Sequence, residues 1–271
     1  MSIIIGLDIG GSTTKIVGLK NGNLISKELV KASDPVASAF GALGKYISQN
    51  ELGLNAVDRV MVTGVGASYL RGNLLDIPTV KTHEFMAIGL GGLFVSGLKE
   101  AVVVSMGTGT AIVRAADHEV EHLIGSGVGG GTMLGLSNRM INVRDFEMFN
   151  QMAEKGDLAN IDLTIGDITH EEIPGLPSGT TASNFGKISD NATHEDIALG
   201  IVNLVFQSIG TSAVMAARQS NLNEIVFTGN LTLVTAGKRV LNAFSKLYHV
   251  KIIVPEAAEF ATAIGAALCR P

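Results

Sequence analysis

The chain has 271 residues, 46% of them hydrophobic and only 17% charged, with 20 basic against 25 acidic side chains for a net charge of −5. That is enough apolar chain for a sizeable core in one large domain or two lobes, and it excludes intrinsic disorder. No basic block is present, which argues against a nucleic-acid partner, and the lone cysteine, Cys269, can form neither an internal disulfide nor, alone, an iron–sulfur or structural zinc site.

In chain order, Ile3 to Ile9 reads as a buried strand that runs into Gly10-Gly11-Ser12-Thr13. Thr14 to Leu19 is a second strand, Asn21-Gly22 a hairpin turn, and Leu24 to Val30 a third strand. Val36 to Ile47 has helical periodicity. Val60 to Thr63 is a short strand closed by Gly64-Val65-Gly66, and Thr82 reads as the N-cap of a helix through Phe85 and Ile88. The pattern then repeats. Ala101 to Ser105, Ala111 to Arg114 and Val120 to Ile124 are strands, the first two joined by Gly107-Thr108-Gly109-Thr110. Gly125 to Thr132 leads into a helix near Met133, and residues 151–195 are polar and turn-rich. A helix over about 196–219, a strand Glu224 to Thr228, a helix over about 232–246, a strand Val250 to Val254 and a closing helix over about 259–269 complete the chain.

Ile197 to Ala217 carries no charge and is long enough for a membrane span, but Asn203, Gln207 and Thr211 recur at i, i+4 and i+8. That polar stripe predicts a buried helix and no membrane contact. The start of the chain shows no basic leader region, so a cytoplasmic protein is expected. Glycine is in excess, 33 residues in 271, and it clusters at strand ends, where backbone can approach a ligand.

The unit strand, glycine turn, strand thus occurs twice, at Gly10 and at Gly107. Two such units predict an α/β fold of two similar lobes, residues 1–96 and 97–271, each a mixed sheet with a β-hairpin and flanking helices, with a cleft between. The last helix is expected to pack back on the first lobe.

Asp8-Ile9-Gly10-Gly11-Ser12-Thr13-Thr14-Lys15 offers backbone donors and hydroxyls for phosphate, with Asp8 able to hold Mg²⁺ through water and Lys15 able to neutralise charge. Gly125, Gly127 and Gly130 spell a dinucleotide fingerprint, but the strands before it read as hairpins and no acidic residue ends a following strand, so backbone donors at a helix N-terminus are the better reading. Glu84 is a general base or a first-turn glutamate favouring the helix dipole. His118 and His122 fall on a strand and its turn, roughly 13 Å apart, which is too far for a metal pair.

These motifs, with Val62-Thr63-Gly64, His83-Glu84-Phe85, Met152 to Asp157, Ala182-Ser183-Asn184-Phe185-Gly186 and Ala261 to Ala266, resemble type II pantothenate kinases of the acetate and sugar kinase, heat-shock ATPase and actin superfamily, over nearly the whole chain. The resemblance implies an actin-like, ribonuclease H-like duplicated fold. It implies transfer of phosphate from MgATP to the 4′-hydroxyl of pantothenate, the first step of coenzyme A synthesis. It places Asp8, Gly10, Gly11, Ser12, Thr13 and Lys15 in a first phosphate loop and makes Asp8 the metal residue. Thr108, Gly129, Gly130, Gly131, Thr132 and Asn230 fall around the nucleotide, and Glu84 at the catalytic base. It implies a homodimer in which an aromatic residue of the partner closes the acceptor pocket, and Phe244 falls near that position. Where the family has an arginine before the third glycine cluster, this chain has His122, with Arg114 on the neighbouring strand as the other cation within range. The first third also resembles ATPase activators of hydroxyacyl-CoA dehydratases, which hold an iron–sulfur cluster through mid-chain cysteines that are absent here. An ATP-binding regulator of the same fold, or a kinase for a related acceptor such as pantetheine, is the remaining alternative.

Overall fold

The computed structural model describes residues 3–11, 13–31 and 34–270. The first unit is β1 (Ile3–Ile9), β2 (Thr13–Lys20), β3 (Asn23–Lys31), α1 (Pro35–Gln49), β4 (Val57–Thr63), β5 (Thr79–Lys81) and α2 (Glu84–Ser96). The second opens with β6 (Glu100–Met106), β7 (Thr110–Ala116) and β8 (Glu119–Ser126), followed by α3 (Gly130–Ile141) and α4 (Phe146–Ala153). The turn-rich stretch holds β9 (Leu163–Thr164), α5 (Ile165–Ile168) and β10 (Thr181–Ser183). Then come α6 (His194–Gln219), β11 (Glu224–Thr228), α7 (Thr235–Tyr248), β12 (Lys251–Ile253) and α8 (Ala261–Leu268).

The two large sheets have the same topology. The orders β3-β2-β1-β4-β5 and β8-β7-β6-β11-β12 superpose term by term, antiparallel across each hairpin and parallel beyond the first strand. The fold is therefore the expected α/β duplication. Ile5, Leu7 and Ile9 are fully buried beneath α1, and Val102 and Val104 beneath α6. Both faces of each sheet are covered, which is why these strands read as unbroken apolar runs.

The helices that end the two halves exchange places. α2 leaves the first sheet and packs on β6, β7, β8 and β11, whereas α8 leaves the second sheet and packs on β1, β2 and β4. They cross each other with backbone in contact. A Cβ built on Gly91 would lie 1.8 Å from the Ala261 carbonyl oxygen, and one on Gly265 would lie 1.8 Å from the Ala87 carbonyl oxygen. The two clashes are mirror equivalents, since each joins a glycine to an alanine four residues before its counterpart. The strand beneath makes room as well, because a Cβ on Gly6 would fall 2.0 Å from the Ala263 carbonyl oxygen.

α6 is long and apolar enough to cross a membrane, but 67% of its apolar window is buried within the protein. Its polar stripe has a structural use. The Asn203 amide donates to Asp162 Oδ2 (2.6 Å), and Asp162 also accepts from Asn184 Nδ2 and the Phe185 N–H. Near the start of α6, Asp196 accepts from the Asp157 N–H (2.7 Å) and Asn160 Nδ2 (3.1 Å). Burial pushes the Asp196 carboxyl up, but these bonds and those from Thr193 outweigh it and hold it below the usual range. The Met152–Asp157 and Ala182–Gly186 motifs therefore latch the turn-rich segment to α6. Phe244 is buried, tilted against Tyr248 and packed over Gly210.

Gly91→Ala and Gly265→Ala should each cost about 3 kcal/mol or more, the upper end for overpacking, because backbone cannot rotate out of the way as a side chain can. A urea midpoint within error of wild type for either variant would show that the crossing has slack.

Candidate functional site

The site lies where the C-terminal ends of β1 and β4 meet the turn of the second hairpin. Asp8 is the penultimate residue of β1, flanked by Lys15 on β2 and Thr63 on β4. Lys15 Nζ stands 3.9 Å from Asp8 Oδ2, and both side chains are largely buried. Burial raises the Asp8 carboxyl above its ordinary value, and the Lys15 charge pulls it back. Gly64 follows Thr63 at φ 88°, and a Cβ there would sit 2.6 Å from Asp8 Oδ1 and 2.6 Å from the Ile9 carbonyl oxygen. Glycine is thus required both by the backbone angle and by the room Asp8 needs.

Thr63 is 1% exposed, and its hydroxyl has no hydrogen-bond partner. Its counterpart in the second half, Thr228, donates to the Val104 carbonyl (3.3 Å). Thr228 is likewise followed by a glycine, Gly229, at φ 90°. The counterpart of Asp8 is Ser105, the penultimate residue of β6. The two halves share a frame, and only the first carries an acid and an unpaired hydroxyl.

Glu84 is the first residue of α2. The Thr82 N–H donates to the Val62 carbonyl (2.8 Å), so β5 leads into that helix while still paired with β4. The helix cap is His83, not Thr82 as the sequence suggested, and it makes no side-chain capping bond. The Glu84 carboxyl is raised by burial and by the negative charge of Asp8, against the opposing pull of His83. Asp8 and Glu84 therefore share one electrostatic environment although 76 positions separate them in the chain.

Across the cleft, the Thr108 hydroxyl lies 3.8 Å from the point where a Cβ on Gly11 would sit. Asn230 Nδ2 reaches Thr13 Oγ1 (3.4 Å), while its buried Oδ1 has no partner. Gly10 closes the first turn by donating to the Thr13 carbonyl (3.0 Å), and Ser12 lies outside the described residues. Gly130 and Gly131, the first two residues of α3, do not offer the free donors that the sequence suggested at this helix N-terminus. The Gly130 N–H donates to the Gly107 carbonyl and the Gly131 N–H to the Thr108 carbonyl, both at 2.9 Å. Thr132 Oγ1 donates to the Gly127 carbonyl (3.0 Å) and accepts from the Gly129 N–H (3.2 Å). Gly129–Thr132 thus brace the Thr108 turn from behind, and Gly129 has no room for a side chain, since a Cβ there would meet the Thr108 carbonyl oxygen at 2.7 Å.

His122 belongs to the same neighbourhood. A register shift in β8 beside Ile112 and Val113 brings it opposite Val113, on the α2 side of the sheet. Its ring stacks on Phe85, with centroids 4.0 Å apart and planes 7° from parallel. Phe85 directly follows Glu84. Arg114 is engaged elsewhere, holding Glu100 Oε1 through Nε (3.1 Å) and Nη2 (2.5 Å) at the far end of the hairpin. Sequence reasoning did not single out Thr63 or Phe85 as site residues. The signal for Thr63 was a hydroxyl closing an otherwise apolar strand, and for Phe85 an aromatic beside the one carboxylate of that helix's first turn.

A family model described as Fumble matches residues 100–266. Over 241 residues the chain is 30% identical to a type II pantothenate kinase of Bacillus thuringiensis subsp. konkukian, covering 85% of this chain and 83% of that relative. It is 27% identical over 276 residues to the type II pantothenate kinase of Staphylococcus aureus, covering 97% of each. Among solved structures, the activator of the 2-hydroxyisocaproyl-CoA dehydratase from Clostridium difficile with bound ADPNP matches with a TM-score of 0.70 at 20% identity, over 98% of this chain and 93% of that one. At that identity the likeness is one of fold.

Gly64→Ala should cost clearly more stability than Gly22→Ala. Both residues have positive φ, but a Cβ on Gly22 meets nothing within 4 Å. Gly22→Ala should cost about 1 kcal/mol of backbone strain, whereas Gly64→Ala adds the collision with Asp8. Equal denaturation midpoints for the two variants would remove the steric part of the argument.

Proposed function

The chain belongs to the Fumble family, the type II pantothenate kinases, and from that premise we propose that it moves the γ-phosphoryl group of ATP to the 4′-hydroxyl of pantothenate, the reaction that opens coenzyme A synthesis. The observation that carries the residue assignments is the pairing of Asp8 and Glu84 in one cleft, faced from the other lobe by Thr108 and Asn230.

Glu84 accepts the proton of the acceptor hydroxyl as its oxygen bonds to the γ-phosphorus. The bond from that phosphorus to the bridging oxygen breaks, and ADP leaves with the electron pair. A carboxyl raised above its ordinary value by desolvation and by Asp8 is a stronger base than an unperturbed glutamate. The Gly10–Thr13 turn and the Gly107–Thr110 turn hold the phosphates from opposite sides, with Lys15 supplying positive charge beside Asp8.

The cleft suits a magnesium ion that arrives with the nucleotide. Among the described residues no cluster of three metal-ligating side chains exists, and such an ion needs only one carboxylate besides phosphates and water. Asp8 is that carboxylate, and the orphan hydroxyl of Thr63 and carbonyl of Asn230 are two buried polar atoms left for ligand or ordered water. When bound, the ion withdraws charge from the phosphoryl oxygens.

His122 stands where relatives of this kind carry arginine. Arginine offers five donors and histidine at most two, so His122 gives a weaker contact to the transferring group. The Phe85 stack fixes its ring, and Arg114, held by Glu100, does not substitute for it. The working protein is a cytoplasmic homodimer in this reading. ADP release should depend on pantothenate, and release at the same rate without it would favour an activator or regulator of the same fold.

Glu84→Gln should lower turnover by about 10²–10⁴-fold while ATP binding is retained. Near-native turnover would return Glu84 to a helix-dipole role.

The acid side of the pH–rate profile carries a second test. Activity needs ionised Glu84, and its raised pKa means that activity falls, on acidification, at a higher pH than for an unperturbed glutamate. His83 opposes that rise, so His83→Gln should move the acid limb to still higher pH and leave the plateau in place. A limb that stays put or moves down would separate His83 from Glu84.

A further inference from the structure

A second cavity, of about 390 Å³, has His83, the neighbour of Glu84, in its wall. Three segments distant in sequence bring nitrogen-bearing side chains to that wall. They are Lys81 at the end of β5, His83 at the cap of α2, His118 in the turn between β7 and β8, and Arg270 just beyond α8. Its floor is apolar, made by Met86 and Leu90 from the first turns of α2 and by Leu268. Among the described residues no carboxylate lines it, and neither Lys81 nor Arg270 is ion-paired. Lys81 and Arg270 thus place two positive charges at a partly closed space, with no acid among its described lining residues. The N-terminus of α2, which has no side-chain cap, begins at this wall, with His83 among the lining residues. Neither Asp8, Glu84 nor any residue of the two glycine turns contributes to the lining.

We propose that this cavity is a second ligand site, distinct from the cleft, that binds a small amphiphilic anion, with its carboxylate or phosphate head on Lys81, His118 and Arg270 and a short apolar tail over Met86, Leu90 and Leu268. The volume falls in the range of small-molecule pockets, and a mixed lining of convergent cations over an apolar floor selects for both properties at once. A purely hydrophilic anion leaves the floor wet, and a neutral apolar molecule leaves the cations unmatched.

The test is thermal unfolding of the full chain titrated with hexanoate, with hexyl phosphate and with hexan-1-ol. One or both anions should raise the midpoint saturably, as a ligand of the folded state does, and the alcohol should not. A response to hexanoate alone identifies the head as carboxylate, and one to hexyl phosphate alone as phosphate. The double variant Lys81→Met with Arg270→Met alters two exposed side chains outside the catalytic cleft. It should bind at least tenfold more weakly and keep its turnover in the absence of anion. Should the double variant not fold, Lys81→Gln alone is titrated in the same way, with a weakened response expected. No saturable rise with either anion, an equal rise with the alcohol, or a rise undiminished in the variants, which would assign the binding to the cleft, overturns the proposal. None of the overturning outcomes is a measurement of phosphoryl transfer, so failure here leaves the kinase assignment standing.

Discussion

Everything in this molecule is arranged around the crossing of α2 and α8. Two helices meet with backbone against backbone at Gly91 and Ala261, and again at Gly265 and Ala87. Without Cβ atoms at those glycines the axes come closer than side-chain packing would allow, and each helix then covers the sheet of the other half. That contact sets the separation of the two sheets. It also fixes the starting point of α2, and with it the position of Glu84 relative to Asp8. Movement of α2 against α8 is opposed at both contacts by the Ala261 and Ala87 carbonyl oxygens.

The chemistry lies where the duplication is broken. In both halves the central strand ends in a glycine turn, and its parallel neighbour ends in threonine followed by a glycine of positive φ. In the second half the threonine is satisfied by Val104 and the position equivalent to Asp8 is a serine. In the first half the acid is buried beside a lysine and the threonine is left unpaired. Buried polar groups are seldom left unmatched, yet the Thr63 hydroxyl of the first half, beside Asp8, and the Asn230 side-chain carbonyl of the second, on the residue that reaches Thr13, are both left so.

Much of this was legible from the residues. Apolar runs ending in glycine turns identify both hairpins, and their recurrence identifies the two lobes. What escaped were features made by contact between distant segments. β5 is three residues long and follows Pro78, too short for any periodicity to register. The packing of α8 back on the first sheet was expected, but the reciprocal move of α2 to the second sheet depends on carbonyl positions that no pattern of side chains encodes. Gly130 and Gly131 at the start of α3 look like phosphate donors in sequence, but their amides are spent on the Gly107 and Thr108 carbonyls. His122 reaches Phe85 only because a register shift in β8 turns it to the α2 side. Asp162 and Asp196 sit in or beside a turn-rich stretch and give no local sign of anchoring it to α6.

The exchange of terminal helices also governs how the molecule comes apart. A lobe cut free of its neighbour would keep its sheet but lose the helix that covers one face, leaving Gly6 and Met61 on one side, or Val103 and Val113 on the other, open to water. Each half thus supplies cover for the other, and Glu84 rides on the helix that crosses to the sheet of the half bearing Thr108 and Asn230.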